Sequence, residues 1–397
     1  MTRAGTVSEV FLAFLRLGVT SFGGPIAHLG YFRDDLVSRR RWMNDRAYAD
    51  LVALCQFLPG PASSQVGFAM GLQRAGFLGA VAAFLAFTLP SAVLLVAFAA
   101  GASLFGGPVG DGILDGLKIV AVAIVAQAVW GMARSLTPDA PRAGIAVVAA
   151  ALAIFAPGSL GQVGALAIGI VAGLALLRGA AEQPGESLPS FGVSRAVGIG
   201  CLAVAALALV GLPVLAAATG SGVITLADAF FRSGALVFGG GHVVLPLLQA
   251  EVVQTGWVSP DAFLAGYGAA QAVPGPLFTF AAYLGSVSAV GPGGIVGSAV
   301  ALAAIFLPGF LILVGVLPFW DALRERPRVR AAMRGANAAV VGILGAALYS
   351  PVFTTAVTGP GPFVLALVGF VLLTAFRVPA WIVVIVGALG GILLALV

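Results

Sequence analysis

Residues 54–65 read LCQFLPGPASSQ, and residues 271–285 read QAVPGPLFTFAAYLG. Each places a Pro-Gly-Pro triplet inside a long apolar run, at Pro59-Gly60-Pro61 and Pro274-Gly275-Pro276, with an offset of 215. The backbone chemistry of the triplet can be read directly. Pro59 lacks an N–H and pushes Leu58 out of the helical region, so the incoming helix ends. Gly60 admits a sharp turn, and Pro61 suits the first position of a new helix. The amides that follow, near Ala62, Ser63, Ser64 and Gln65, then point into the turn. A helix N-terminus carries about half a positive charge and unpaired donors, so it attracts anions. The competing reading is a kink that merely lets apolar helices pack, since Gly and Pro are common in membrane helices.

The matches extend well beyond the triplets. FLRLGVTSFGG (14–24) is echoed by FFRSGALVFGG (230–240) at an offset of 216. This pairs Arg16 with Arg232, Gly23-Gly24 with Gly239-Gly240, and Gly18 with Gly234. Trp42 pairs with Trp257, Gln56 with Gln271, and Leu89-Pro90 with Leu307-Pro308. One order at nearly one offset predicts two homologous halves, 1–178 and 219–397, with a connecting loop and linker helix at 179–218.

Composition sets the environment. Of the 397 residues, 60% are hydrophobic and only 9% charged, and the mean hydropathy is +1.09. A soluble domain carries about 25% charged residues, so this chain could not cover a water-facing surface. The fold class expected is an all-α polytopic membrane protein. Nucleic-acid binding, a secreted disulfide scaffold and a cytosolic enzyme are excluded on the same ground. Cys55 and Cys201 lie inside apolar stretches without metal or disulfide spacing. No Ser–His–Asp set, paired carboxylates or HExxH motif lies in the apolar segments, so no enzyme, cofactor or metal is expected.

Charge placement orients the halves. The break at 33–46 holds Arg33, Arg39, Arg40, Arg41 and Arg46, whereas its counterpart at 249–261 holds only Glu251 and Asp261. The break at 318–331 holds Arg324, Arg326, Arg328 and Arg330, whereas its counterpart at 107–115 holds only Asp111 and Asp115. Cations flank membrane segments on the cytoplasmic side, so equivalent loops face opposite sides, the mark of an inverted-topology repeat. A bilayer core of about 30 Å needs about 20 apolar residues per crossing. With Arg3, Arg134, Arg142, Arg178, Arg195 and Arg377 inside, the expectation is nine full crossings and four broken or re-entrant segments (10–32, 47–73, 223–248 and 262–290). The N-terminus is then cytoplasmic and the C-terminus outside.

Irregular backbone at membrane depth survives only inside protein or beside a cavity. The substrate-binding candidates therefore gather at the four breaks: Gly23, Gly24, Gln56, Gly60, Ser63, Ser64, Gly239, Gly240, Gln271 and Gly275. Ser259-Pro260-Asp261 predicts a capped helix start in the second half. Intramembrane cations add Arg16, Arg232 and Lys118, with Asn337 opposite Lys118 in the repeat. An intramembrane charge is functional by default, and snorkelling to the interface is the alternative. The apolar runs show no Asp or Glu set against these cations, so a mobile anion is expected as their partner. His28 and His242 border the glycine-rich breaks and are either carriers of a coupling proton or structural. Gln56 and Gln271 either bond ligand oxygens or cap a broken helix.

These motifs resemble the chromate ion transporter family of the two-domain, long-chain type. The likeness rests on FLRLGVTSFGGPIAHLG (14–30), RRRWMND (39–45), LCQFLPGPASSQ (54–65), FGGGHVVLPLL (238–248) and QAVPGPLFTFAAYLG (271–285). It implies a bacterial inner-membrane protein in the lipid bilayer that exports chromate, with sulfate as a close chemical relative, powered by membrane potential or proton gradient and conferring chromate resistance. Amides, hydroxyls and a guanidinium suit a tetrahedral dianion. A sulfate or other anion carrier or exchanger, and an anion channel, remain alternatives; a homodimer is compatible with all of them.

Overall fold

The first helix shows why the chain folds as it does. Thr6 caps α1 (Val7–Thr20), its hydroxyl accepting from the Glu9 amide at 3.2 Å. Glu9 sits in the first turn, where the helix dipole favours an anion. Val10, Ala13, Phe14, Leu17 and Gly18 form one buried stripe at helical spacing. The computed structural model describes residues 5–101, 107–156, 158–177, 191–238, 241–324 and 326–396. Arg3, Arg178, Gly239 and Gly240, named above, lie outside the described residues.

After α1 come α2 (Gly24–Phe32), a π-helical stretch over Arg33–Arg39, α3 (Asp45–Phe57), α4 (Ala62–Gly101), α5 (Gly107–Leu136), α6 (Ala140–Phe155) and α7 (Ser159–Leu176). The linker helix is α8 (Arg195–Thr219). Then follow α9 (Gly222–Ala235), α10 (Val244–Leu248), a π-helical stretch over Gln249–Val253, and α11 (Pro260–Ala272). Beyond these lie α12 (Phe280–Val287), α13 (Gly294–Val316), α14 (Trp320–Arg324), α15 (Pro327–Ala347), α16 (Thr354–Ala356), α17 (Pro360–Thr374) and α18 (Ala380–Leu396). Among the described residues, helices are the only regular elements of substance.

The order of elements recurs at the sequence offset. The π-helical stretches after α2 and α10 start at equivalent positions, Arg33 and Gln249, and a further one runs over Leu348–Phe353. Asn44 caps α3 by accepting from the Ala47 amide at 2.7 Å, and Ser259 caps α11 by accepting from the Ala262 amide at 3.2 Å. The kinking prolines Pro90 and Pro308 lie inside α4 and α13. Helices also pair across the repeat. Gly116 of α5 lies against the backbone of Gly387 in α18, and its equivalent Gly335 of α15 lies against Gly169 in α7.

Among the described residues, six stretches are long and apolar enough to cross a membrane: Ala62–Gly101, Gly107–Leu136, Ser159–Leu176, Arg195–Thr219, Gly294–Phe319 and Pro327–Ala356. The expected nine full crossings include three shorter apolar helices besides these. Helices α6, α17 and α18 have 16, 15 and 17 residues, or roughly 24 Å at about 1.5 Å per residue. A proline marks the start of each: Pro141 and Pro360 lie in the first turns of α6 and α17, and Pro379 directly precedes α18. The second and third apolar runs stay separate: α4 is two helices joined at a kink, with non-helical backbone at Ala75 and Gly76. Helix α8 carries exposed Val204, Leu207, Val210 and Val214, the surface that a lipid-facing helix presents.

A charged latch closes one end of the first half. Arg74 Nη2 donates to both Glu9 oxygens at 3.0 and 3.1 Å. Trp42 Nε1 donates to Glu9 Oε1 at 3.2 Å, and the guanidinium of Arg74 lies over the Trp42 ring at 5.4 Å. This ties the start of α1, the basic loop and the kink of α4 together.

Candidate functional site

The two Pro-Gly-Pro turns interlock reciprocally. Gly60 N–H donates to the Val237 carbonyl at 2.8 Å, and Gly275 N–H donates to the Ser21 carbonyl at 2.9 Å. Ser21 and Val237 are themselves equivalent positions, each just past the first helix of its half. Every turn therefore docks on the other half. Gly60 has φ +121° and Gly275 φ +101°, the left-handed region where a side chain is strained. Space excludes a side chain as well. A Cβ on Gly60 would lie 2.9 Å from Gly309 Cα, and one on Gly275 would lie 2.8 Å from Ser91 Oγ. Gly309 and Ser91 are equivalent, each one residue beyond a kinking proline.

The glycine breaks meet as well. Helix α2 starts at Gly24 behind Gly23, whose φ of +99° ends the preceding chain without a side-chain cap. Pro25 lies against Gly241, its equivalent, with 2.9 Å from Pro25 Cγ to where a Gly241 Cβ would be. Open space borders Gly24. Helix geometry leaves the first amides of α2 and of α4 without intrahelical acceptors. Gln65 fastens the start of α4: its Nε2 donates to the carbonyls of Pro59 at 3.0 Å and Gly309 at 2.9 Å.

Several buried polar atoms of these segments have no hydrogen-bond partner among the described residues: Ser21 Oγ, both ring nitrogens of His28, Ser64 Oγ, Gln65 Oε1, Thr88 Oγ1 and Gln271 Nε2; nor does Asn337 Oδ1 on α15. Each such group costs about 1–3 kcal/mol if left unmade. His28 stands edge-on to Phe87 with ring centres 5.3 Å apart. Phe87 and Ser91 in turn border Gly275. The other histidine differs, with His242 Nδ1 and Tyr267 Oη 2.8 Å apart.

The remaining predicted residues separate. Ser63 is buried, whereas Gln56 is exposed, unlike its equivalent Gln271. Arg16 is exposed and makes no ion pair among the described residues. The expectation of cations without carboxylate partners fails for the other two. Arg232 pairs with Asp228 at 3.0 Å and Glu251 at 2.9 Å, and Lys118 pairs with Asp261 at 2.7 Å and with Asp115. Asp228 and Asp115 lie four and three residues before their cations on the same helices, a spacing legible in the sequence, whereas Glu251 and Asp261 come from other segments. Sequence reasoning also missed Ser21, Gln65 and Thr88. The repeat carried the signal, because Val237, Phe280 and Phe306 stand at their equivalent positions. A groove of about 410 Å³ among Val122, Leu348, Phe353, Phe363 and Phe370 is apolar and does not suit an oxyanion.

The comparisons with known proteins agree with this duplicated architecture. A chromate transporter family model matches twice, over residues 8–176 and 224–392. A chromate transport protein of Pseudomonas aeruginosa is 29% identical over 85% of this chain and 79% of its own length. One from Cupriavidus metallidurans is 27% identical over 96% of this chain and 92% of its own. An uncharacterized transporter of Methanocaldococcus jannaschii is 25% identical over 85% of this chain and 82% of its own. No solved structure matches the chain significantly. With two family matches that together span most of its length, this multi-pass chain belongs to the chromate transporter family.

Proposed function

We propose that this protein is a secondary transporter that exports chromate from the cytoplasm across the bacterial inner membrane and so confers chromate resistance. The halves 1–178 and 219–397, joined by 179–218, face opposite sides of the bilayer, with the N-terminus inside and the C-terminus outside. The observation that carries the reading is the reciprocal docking of the two Pro-Gly-Pro turns beside buried polar atoms that lack partners. Such atoms suit a tetrahedral dianion, which takes hydrogen bonds from amides and hydroxyls on several sides. The free amides at the starts of α2 and α4 and the Ser64 hydroxyl receive the oxygens. Paired half-helix ends at a repeat interface are a recurrent substrate site in secondary transporters.

The driving force is sufficient. One charge moved through 100 mV is worth about 2.3 kcal/mol, so a departing dianion gains about 4.6 kcal/mol from an inside-negative membrane. Sulfate shares the shape and charge of chromate, and these donors discriminate little between them.

Chromate accumulation in inside-out vesicles, energised or not, with and without excess sulfate, tests the function. Energised, saturable, sulfate-sensitive accumulation supports it. Sulfate flux without chromate flux reassigns the substrate, and flux that does not saturate makes the protein a channel. Cysteine substitutions at Arg40 and Thr255 test the topology. Labelling of both from one side contradicts opposed halves.

A further inference from the structure

The charged cluster of the second half lies apart from the turns just described. Arg232 of α9 holds two carboxylates, Asp228 Oδ2 at 3.0 Å and Glu251 Oε2 at 2.9 Å. Glu251 is fully occupied, since its Oε1 also accepts from Ser159 Oγ at 2.6 Å. Asp228 is not: it is 5% exposed, and its Oδ1 is buried with no partner among the described residues. Two carboxylates and one guanidinium leave a net charge of −1, with both carboxylates buried and the Arg232 side chain 33% exposed, and an uncompensated buried charge is costly.

The neighbouring elements do not balance that charge. Helix α13 and helix α10 carry no titratable side chain, and α8 carries only Arg195 and Cys201 near its start. On α11, Asp261 is engaged by Lys118 at 2.7 Å, and Tyr267 faces His242 at 2.8 Å. The first half lacks the arrangement, since Leu12 stands where Asp228 does and the equivalent Arg16 is exposed.

We propose that Asp228 is the proton-binding site that couples transport, taking a proton on Oδ1 from the outer side while Glu251 remains the counter-ion of Arg232. Protonation forms one O–H bond and leaves the cluster neutral. Release to the cytoplasmic side restores the charge as the dianion leaves. The coupling rests on the carrier reading above, whereas the proton site can be tested without it.

The full chain in liposomes is examined by infrared difference spectroscopy between mildly alkaline and mildly acidic pH. The C=O band of a buried protonated carboxylic acid is expected in the wild type and absent in Asp228→Asn. In Glu251→Gln one acid is gone, so Asp228 is expected to stay ionised to lower pH and the band to move to more acidic conditions. With membrane potential clamped, a pH gradient should stimulate wild-type chromate flux. Asp228→Asn should lose that stimulation and keep chromate exchange, which also shows that it is folded. A band that persists in Asp228→Asn, or a gradient response that persists, overturns the proposal. A wild type that moves no oxyanion, with the band still lost in Asp228→Asn, keeps the proton site and overturns the coupling along with the carrier reading.

Discussion

The turn at Gly60 and the turn at Gly275 make the same backbone bond, yet their surroundings are chemically different. After Pro61 the chain reads Ala62-Ser63-Ser64-Gln65, with both serines and the glutamine buried. After Pro276 it reads Leu277-Phe278-Thr279-Phe280, and the one hydroxyl is engaged, Thr279 Oγ1 donating to Pro276 O at 2.7 Å. The chain on which the Gly275 turn docks brings Ser21, with His28 seven residues on, and α4 brings Ser91 against Gly275 with Thr88 one turn before it; the equivalents around Gly60 are Val237, Val244, Gly309 and Phe306. Both docking regions thus draw their polar side chains mainly from the first half. The buried charge imbalance belongs to the second. Duplication supplies a symmetric frame, and divergence has placed the buried polar side chains of the turns mainly in one half and the buried carboxylate pair in the other.

Substitution at the two turn glycines should break the frame, with the largest effect. In Gly60→Ala the new methyl meets Gly309 Cα, backbone that cannot step aside. The left-handed conformation adds about 1–2 kcal/mol, and overpacking about 1–3 kcal/mol. Gly275→Ala meets the Ser91 hydroxyl first, which can rotate, so it should melt at a higher temperature than Gly60→Ala. Adding Ser91→Gly should restore part of the Gly275→Ala loss and do nothing for Gly60→Ala. Equal melting of the two single variants would remove the asymmetry.

Next in size is the cation pair. Arg232→Ala leaves two buried carboxylates and should cost about 3–5 kcal/mol, read as loss of folded protein in the membrane. Arg16→Ala removes an exposed side chain and should leave the amount of folded protein near wild type while lowering chromate flux. Wild-type flux in Arg16→Ala would remove that residue from the substrate path.

A smaller effect is expected at the polar turn. Ser64→Ala removes a buried hydroxyl without a protein partner and should weaken chromate binding about tenfold, equivalent to about 1.4 kcal/mol. Thr279→Val at the matching place should cost about 1 kcal/mol in stability and leave affinity unchanged. If both shift affinity alike, the ligand chemistry is not confined to the first half.

Much of this frame is visible in the residues themselves. The offset of the repeat, the Pro-Gly-Pro turns, the kinking prolines and the Ser259 cap are local patterns with local causes. What joins distant segments is not. Gln65 reaches Gly309, Lys118 reaches Asp261 and Arg74 reaches Glu9, and nothing in either partner's neighbourhood announces the other. The kink of α4 at Ala75 and Gly76, by contrast, falls where one apolar run gives way to the next.

The same comparison extends to the membrane surface, with the smallest effect. Asp139 caps α6, accepting from the Arg142 amide at 3.0 Å and from its guanidinium. Those hydrogen bonds hold its carboxyl below the usual carboxylate range. A depressed value in the folded state means stabilisation that is present above the unfolded value of about 3.9 and lost as pH falls through the folded value. Its counterpart, α17, is capped only by Gly359, whose φ of −173° is extended backbone open to any residue and whose missing Cβ faces open space. Asp139→Asn should therefore lower the melting temperature slightly near neutral pH and remove the acid-side dependence of this cap. Gly359→Asp should raise stability by roughly a few tenths of a kcal/mol, again only above the carboxylate range. If Gly359→Asp leaves the melting curve unchanged at neutral pH, the end of α17 is held by its packing and not by its cap, and the difference between the two helix starts carries no energy.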